Sequence, residues 1–265
     1  MYNLREAFKE IEAYSTFNRE ERNCVAILYH SLLLNGNLSR FLSGIGYSTD
    51  EATKSAEISV EFSFLRDLWH KHQRPEDLEI KKQMIIDHLA VSDRNALASM
   101  SAEAFNSFFG ATPSASKLKI QSPATWSITR FESNLPNNDE FLRACKFKWA
   151  FRVKPDLVIQ LCPDRAVCIE AKWDSREGSY PTASSEKQLF SKRQLTTVPQ
   201  RELQKYMMEN LLGIQTAFCY LVRKRRSGDP QIISWNEAFR SLDTSEFQDF
   251  ITDWIKSLDQ EESLH

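Results

Sequence analysis

The segment KPDLVIQLCPDRAVCIEAKW, residues 154–173, constrains this chain more than any other. Two apolar runs, 156–161 and 166–173, flank Cys162-Pro163-Asp164-Arg165, whose proline and aspartate suit a tight turn. Text of this kind reads as a β-hairpin. Side chains alternate faces along a strand, so Glu170 and Lys172 point one way and Ala171 the other. The hairpin can bring Asp156, at the start of its first strand, beside Glu170, near the end of its second. Glu170 and Lys172 stand in text that otherwise reads as buried, and burying charge without partners is costly. Two accounts fit: a site that uses the charges, or a half-exposed strand on which they pair with other groups.

The first account has a definite chemistry. Two carboxylates and a main-chain carbonyl such as that of Ala171 supply hard oxygen ligands for Mg²⁺ or Mn²⁺. A metal held there polarises a phosphate and lowers the pKa of a bound water. A lysine one step along the same face can hold or deprotonate that water, or neutralise charge developing on the phosphate.

The remaining text organises around the hairpin. Residues 1–110 read as helices, with Val25, Leu28, Tyr29, Leu32 and Leu33 at helical spacing before a turn at Asn35-Gly36. Further helical patterns run through Phe62, Leu65, Leu68 and Trp69, and through Ile80, Met84, Ile85, His88 and Leu89. The stretch 110–125, rich in Gly, Pro, Ser and Thr, reads as a boundary or long loop. WSITRF (126–131) and FKWAFR (147–152) are expected to be strands. A helix is expected over 197–213, then a buried strand over 214–222. Ser234 and Glu237 spell a capping box. Phe247, Phe250, Ile251, Trp254, Ile255 and Leu258 then form an amphipathic stripe, for core packing or docking.

Charge is unevenly spread. The chain carries a net −2, yet 145–226 holds 16 Lys/Arg against 8 Asp/Glu, while 227–265 holds 2 against 9. A basic middle fits a polyanionic partner. No apolar run approaches the roughly 20 residues that span a bilayer, so no membrane partner is expected. The five cysteines form no CxxC and are odd in number, which suits a reducing cytoplasm.

With Pro155-Asp156 and Glu170-Ala171-Lys172 filling its signature, the segment resembles the PD-(D/E)XK nuclease superfamily, over roughly residues 126–222. The resemblance implies an α/β fold: a restriction-endonuclease-like core, a central mixed β-sheet flanked by helices, with an N-terminal helical extension and C-terminal helices. The domains would be a helical region 1–110 packed on the core and able to supply its first helix, a nuclease core 111–226, and an acidic helical segment 227–265. The implied activity is divalent-metal-dependent hydrolysis of phosphodiester bonds, with Mg²⁺ or Mn²⁺ on Asp156, Glu170 and the Ala171 carbonyl, and Lys172 catalytic. Many members carry a glutamine on the helix after the lysine strand; Gln204 is the match here, with Gln200 as rival. One branch adds a tyrosine four residues later, where this chain has Met208. Many also place a glutamate on the first core helix, expected here as Glu21, with Glu20 and Glu61 as rivals; Asn18-x-x-Glu21 equally spells a capping box. Lys154, Lys192, Arg193, Arg201, Lys205 and the run Arg223, Lys224, Arg225 and Arg226 are expected to grip nucleic acid. DNA is favoured over RNA, cutting is expected to be endonucleolytic, and restriction or anti-phage defence is a fitting setting. A protein partner or homo-oligomer would control cleavage, since the chain carries no motor motif. The rivals are a catalytically silent nucleic-acid-binding or assembly subunit of the same fold, and an RNA-cleaving nuclease.

Overall fold

The computed structural model describes residues 4–9, 20–34, 36–47, 54–111, 118–173, 177–223 and 231–263. Among them the strands are β1 (Glu57–Val60), β2 (Leu157–Cys162), β3 (Arg165–Ala171), β4 (Ser179–Tyr180), β5 (Val198–Pro199), β6 (Gln215–Val222) and β7 (Ile232–Ser234). Five of them form one mixed sheet in the order β1-β2-β3-β6-β7. The β1–β2 and β2–β3 pairs are antiparallel and the β6–β7 pair is parallel. The fold is therefore α/β, with a central mixed sheet flanked by helices.

The chain divides into two compact units. The first comprises Met1–Phe62, Pro155–Arg176 and Thr216–His265, and the second Ser63–Lys154 and Glu177–Gln215. The consecutive segments 1–110, 111–226 and 227–265 expected from the sequence do not coincide with these units. A sheet gathers strands from distant stretches of chain, and a linear scan does not register that.

In the first unit the hairpin is the centre of the sheet. Leu157, Ile159, Val167, Ile169 and Ala171 present one apolar face. Four helices pack their buried stripes against it: Cys24, Val25 and Leu28 from Glu21–Leu32, Phe41 and Leu42 from Asn37–Gly44, Trp235 and Phe239 from Trp235–Arg240, and Trp254 and Leu258 from Asp249–Ser263. Each such side chain, fully buried, contributes about 1.5–3 kcal/mol. Rings close the layer: Trp173 lies 6.2 Å from Trp235 and 6.5 Å from Trp254, and Phe239 meets Trp254 edge-on at 5.1 Å. Most of the expected stripe is core: Trp254 and Leu258 are buried and Phe247, Ile251 and Ile255 pack against the cluster, while Phe250 is exposed. The Ser234–Glu237 capping box forms in both directions.

The second unit is helical and aromatic. Its helices include Phe64–Lys71, Asp77–Leu89, Asn138–Ala150, Ser184–Lys192 and Gln200–Lys205. Its core stacks Phe109 on Trp126 at 4.0 Å and sets Trp69 edge-on to Phe151. Three lysines are buried here, Lys81, Lys82 and Lys148, and the first two close helix ends. Lys81 Nζ donates to the Trp69 carbonyl at 2.9 Å, and Lys82 Nζ donates to the Ala98 and Met100 carbonyls at 2.7 and 2.9 Å. Hydrogen bonds to a charged group contribute more than neutral ones, and buried acceptors left unpaired are costly. Lys82→Met, which keeps the volume, is expected to destabilise the protein by about 2–3 kcal/mol. Equilibrium urea unfolding checks this, and an unchanged midpoint would show that these bonds contribute nothing net.

Two expected strands are helical. Residues 147–150 end the Asn138–Ala150 helix, which Asn137 caps by accepting the N–H groups of Asp139 and Glu140. Residues 128–131 form a single helical turn, Ile128–Phe131. In both places aromatic and β-branched residues suggest strand, but capping and tertiary packing override propensity. Conversely, β1 lies inside text read as wholly helical. The expected 197–213 helix starts later, at Gln200, because Val198–Pro199 first pairs with Ser179–Tyr180. All five cysteines are free thiols. Among the described residues no helix is long and apolar enough to cross a membrane.

Candidate active site

The register of the hairpin builds the site. Leu157 stands opposite Ile169, so one further step brings Asp156 opposite Glu170. On the other side Val60 stands opposite Leu157, and the Glu61 N–H donates to the Asp156 carbonyl at 2.9 Å. Glu61, Asp156 and Glu170 thus form a row across the ends of three adjacent strands. Asp156 and Glu170 belong to the face carrying Val158 and Cys168, opposite the apolar face formed by Leu157 and Ile169.

Hydrogen bonds fix these groups. The Ala171 N–H donates to Asp156 Oδ2 at 2.8 Å. Lys172 Nζ donates to Glu170 Oε1 at 2.7 Å. The Lys172 N–H donates to the Leu221 carbonyl of β6 at 2.7 Å. The Trp173 N–H donates to Glu21 Oε1 at 2.8 Å. Glu170 is only 4% exposed.

Burial is the main influence on the Asp156 carboxyl, which it pushes up to about 7, with the charge of Glu170 next. The Ala171 N–H and Lys172 pull it down, and Glu61 pushes it up further. For Lys172, burial acts downward, but the bond to Glu170 and the charges of Glu170, Asp156 and Glu21 together hold it above the ordinary lysine value. Of the two roles open to Lys172 in the sequence, proton acceptor or cationic donor, this arrangement suits the donor.

The donor set fits a divalent cation. Asp156 and Glu170 are two carboxylates in a poorly solvated space, the charge of Glu170 disfavouring that of Asp156, with the Lys172 ammonium bonded to Glu170. Hard oxygen donors of this kind suit Mg²⁺ or Mn²⁺. Among the described residues no group of three or more His, Cys, Asp or Glu side chains is arranged to hold an ion. An ion on Asp156 and Glu170 would therefore complete its shell with a main-chain carbonyl, for which Ala171 is the neighbour, and with water.

The first unit thus brings together Asp156, Glu170, Ala171, Lys172 and Glu21. Gln204, buried on the Gln200–Lys205 helix, belongs to the second unit and is followed by a π-helical stretch, Tyr206–Leu211, in which Met208 is buried. Lys154, Lys192, Arg193, Arg201 and Lys205 also belong to the second unit. Lys192 and Lys205 are exposed there, and Lys154 and Arg201 are partly buried. Arg193 is used within the protein: its Nη2 donates to the Glu132 carbonyl at 2.8 Å, its Nη1 to the Leu135 carbonyl at 3.1 Å, and its guanidinium lies over the Phe141 ring. That leaves it poorly suited to the phosphate contact expected of it. Arg223 is partly buried at the end of β6, while Lys224, Arg225 and Arg226 lie outside the described residues, as does Asn18 of the Asn18–Glu21 capping box.

The residue that sequence reasoning undervalued is Glu61, weighed only as a rival to Glu21. It directly follows β1, has a left-handed backbone (φ 52°), and pairs with Arg22 at 3.8 Å. Only the β1–β2 register reveals its place beside Asp156. Set against family models, curated proteins and solved structures, the chain matches none, and the site is read from its own geometry.

Proposed function

We propose that this protein is a divalent-metal-dependent nuclease with a restriction-endonuclease-like core, hydrolysing phosphodiester bonds of nucleic acid, with DNA the favoured substrate and endonucleolytic cutting its mode. The observation that carries the reading is the convergence of Asp156 and Glu170 at paired strand ends, with Lys172 bonded to Glu170 at 2.7 Å. Mg²⁺ or Mn²⁺, held by Asp156, Glu170 and the Ala171 carbonyl, would supply polarisation of the phosphate and an acidified water. The protein's own part is positional and electrostatic. Asp156 is held by the Ala171 N–H, which fixes one carboxylate oxygen and leaves the other for the ligand. Glu170 orients the Lys172 ammonium. That ammonium, kept protonated by its carboxylate neighbours, donates to the attacking water or to the phosphate oxygen on which charge develops. A role in restriction or anti-phage defence belongs to the same proposal and rests on analogy of fold, while a reducing cytoplasmic setting rests on the cysteine pattern and control by a protein partner or homo-oligomer on the lack of a motor motif.

A second reading draws on the same ion pair. Lys172 and Glu170 satisfy one another, as they would in a catalytically silent binding or assembly subunit. Purified protein incubated with supercoiled plasmid, linear duplex, single strands and RNA, each with Mg²⁺, Mn²⁺ or EDTA, separates the alternatives. Nicking or linearisation of plasmid with metal, and none in EDTA, is the expected result. Cleavage of RNA alone would replace the substrate, and binding without cleavage of any substrate would favour the silent subunit.

A further inference from the structure

Glu21 is the first residue of the Glu21–Leu32 helix, yet its carboxylate reaches a main-chain amide 152 residues away. That amide belongs to Trp173, immediately after Lys172. The other side of this short stretch is already held, because the Lys172 N–H bonds the Leu221 carbonyl. β2 begins only at Leu157 and β3 ends at Ala171. Past that point two carboxylates accept the amides that a longer neighbouring strand would have met with carbonyls: Asp156 takes Ala171, and Glu21 takes Trp173. Buried main-chain donors require such acceptors. Lys172 is thereby clamped at three consecutive amides, two of them by acids.

We propose that Glu21 is a positioning residue rather than a metal ligand: its carboxylate holds the chain just beyond Lys172, so that the ammonium keeps its place beside Glu170. The inference rests on the nuclease reading of the site. Two observations carry it. The Glu21 carboxylate bonds the amide that immediately follows Lys172, on a stretch whose other side the Leu221 carbonyl already holds. No three acidic side chains among the described residues are arranged around one ion.

Glu21→Gln keeps an oxygen for the Trp173 amide and removes the charge, whereas Glu21→Ala removes both. Three measurements on the full chain decide: amide hydrogen exchange at Trp173, Mn²⁺ affinity, and single-turnover cleavage of plasmid. Groups that orient a metal site from behind typically cost about 10- to 100-fold when lost. The Ala variant is expected to exchange the Trp173 amide at least about tenfold faster and to cut about 10- to 100-fold more slowly. The Gln variant is expected to retain protection and restore most of the rate. Both should bind Mn²⁺ with wild-type affinity, since the group that Glu21 positions is Lys172 and not a ligand of the ion. A Gln variant that keeps Trp173 protected but binds Mn²⁺ tenfold or more weakly would overturn the proposal and make Glu21 a ligand. So would an Ala variant with unchanged exchange. A wild type that neither binds Mn²⁺ nor cuts would refute the nuclease reading instead, and the exchange contrast between the two variants would still decide whether Glu21 holds the chain beyond Lys172.

Discussion

Asp156→Asn is expected to yield a protein that is more stable than the wild type above pH 7 and unable to cut. The stability half follows from linkage. The Asp156 carboxyl sits near 7 in the fold against an ordinary 3.8, chiefly through burial and then through Glu170. Between those values the folded state keeps a proton that the unfolded chain has released. Wild-type stability therefore falls as pH rises from about 4 to 7, and the loss is complete above that window. A shift of this size corresponds to on the order of 4 kcal/mol. Asparagine keeps the shape and an oxygen for the Ala171 N–H but never ionises, so it escapes the penalty. Urea unfolding across pH should show the two proteins converging near pH 4 and diverging in favour of the variant by pH 8. A gap that does not change with pH would show that Asp156 ionises without penalty in the fold. The activity half follows from the donor set. An amide is a poorer ligand than a carboxylate for a hard cation, so metal-dependent cleavage should fall below detection, as it should in Glu170→Gln. Mg²⁺ should stabilise the wild type at pH 8 and do little for either variant. Wild-type cutting by either would remove these residues from the reaction.

Lys172→Ala is expected to lower the single-turnover rate on the order of 10²- to 10³-fold while substrate affinity falls little. The reason is that an ammonium donating to charge that develops during reaction acts in the transition state and not in the ground state. Lys172→Arg should rescue poorly. The guanidinium is broad and planar, whereas the site holds a compact ammonium 2.7 Å from Glu170. The raised affinity of Lys172 for its proton adds a further mark: the wild-type rate should not decline through deprotonation of this group near neutral pH. Measuring single-turnover rate and equilibrium binding on the same variant decides the matter. A near-normal saturated rate with weakened binding would make Lys172 a phosphate contact, and a lowered midpoint in urea with both intact would make it only the partner of Glu170.

The hairpin was legible because its signals are local. A turn of Pro163 and Asp164 between two apolar runs announces the hairpin, and the register beyond the irregularity at Gln160–Cys162 sets Asp156 opposite Glu170. The capping box at Ser234 and the stripe ending at Leu258 are local too, and both form. What stayed hidden depends on partners distant in sequence. β1 is four residues, EISV, too short for period-2 alternation to stand out from the helices around it. It becomes a strand by pairing with β2, about 100 residues away, and so Glu61 was not recognised beside Asp156. Residues 147–152 carry three aromatics and a lysine that is buried, and only the cap at Asn137, ten residues earlier, discloses the helix. Arg193 looked like a surface cation because nothing in its neighbourhood of sequence announces Glu132 or the Phe141 ring.

The clamp around Lys172 also sets an order of events during synthesis. A ribosome releases the chain from its N-terminus, and structure forms as segments emerge. Glu21 and Glu61 appear first and wait for the hairpin, which brings Asp156, Glu170 and Lys172 together. The Leu221 carbonyl, which holds the Lys172 amide from the β6 side, arrives some fifty residues later still. A nascent chain shorter than β6 has all the acids and the lysine but lacks the strand that fixes the lysine in register. The clamp around Lys172 is thus complete only once β6 has been made and lies beside β3.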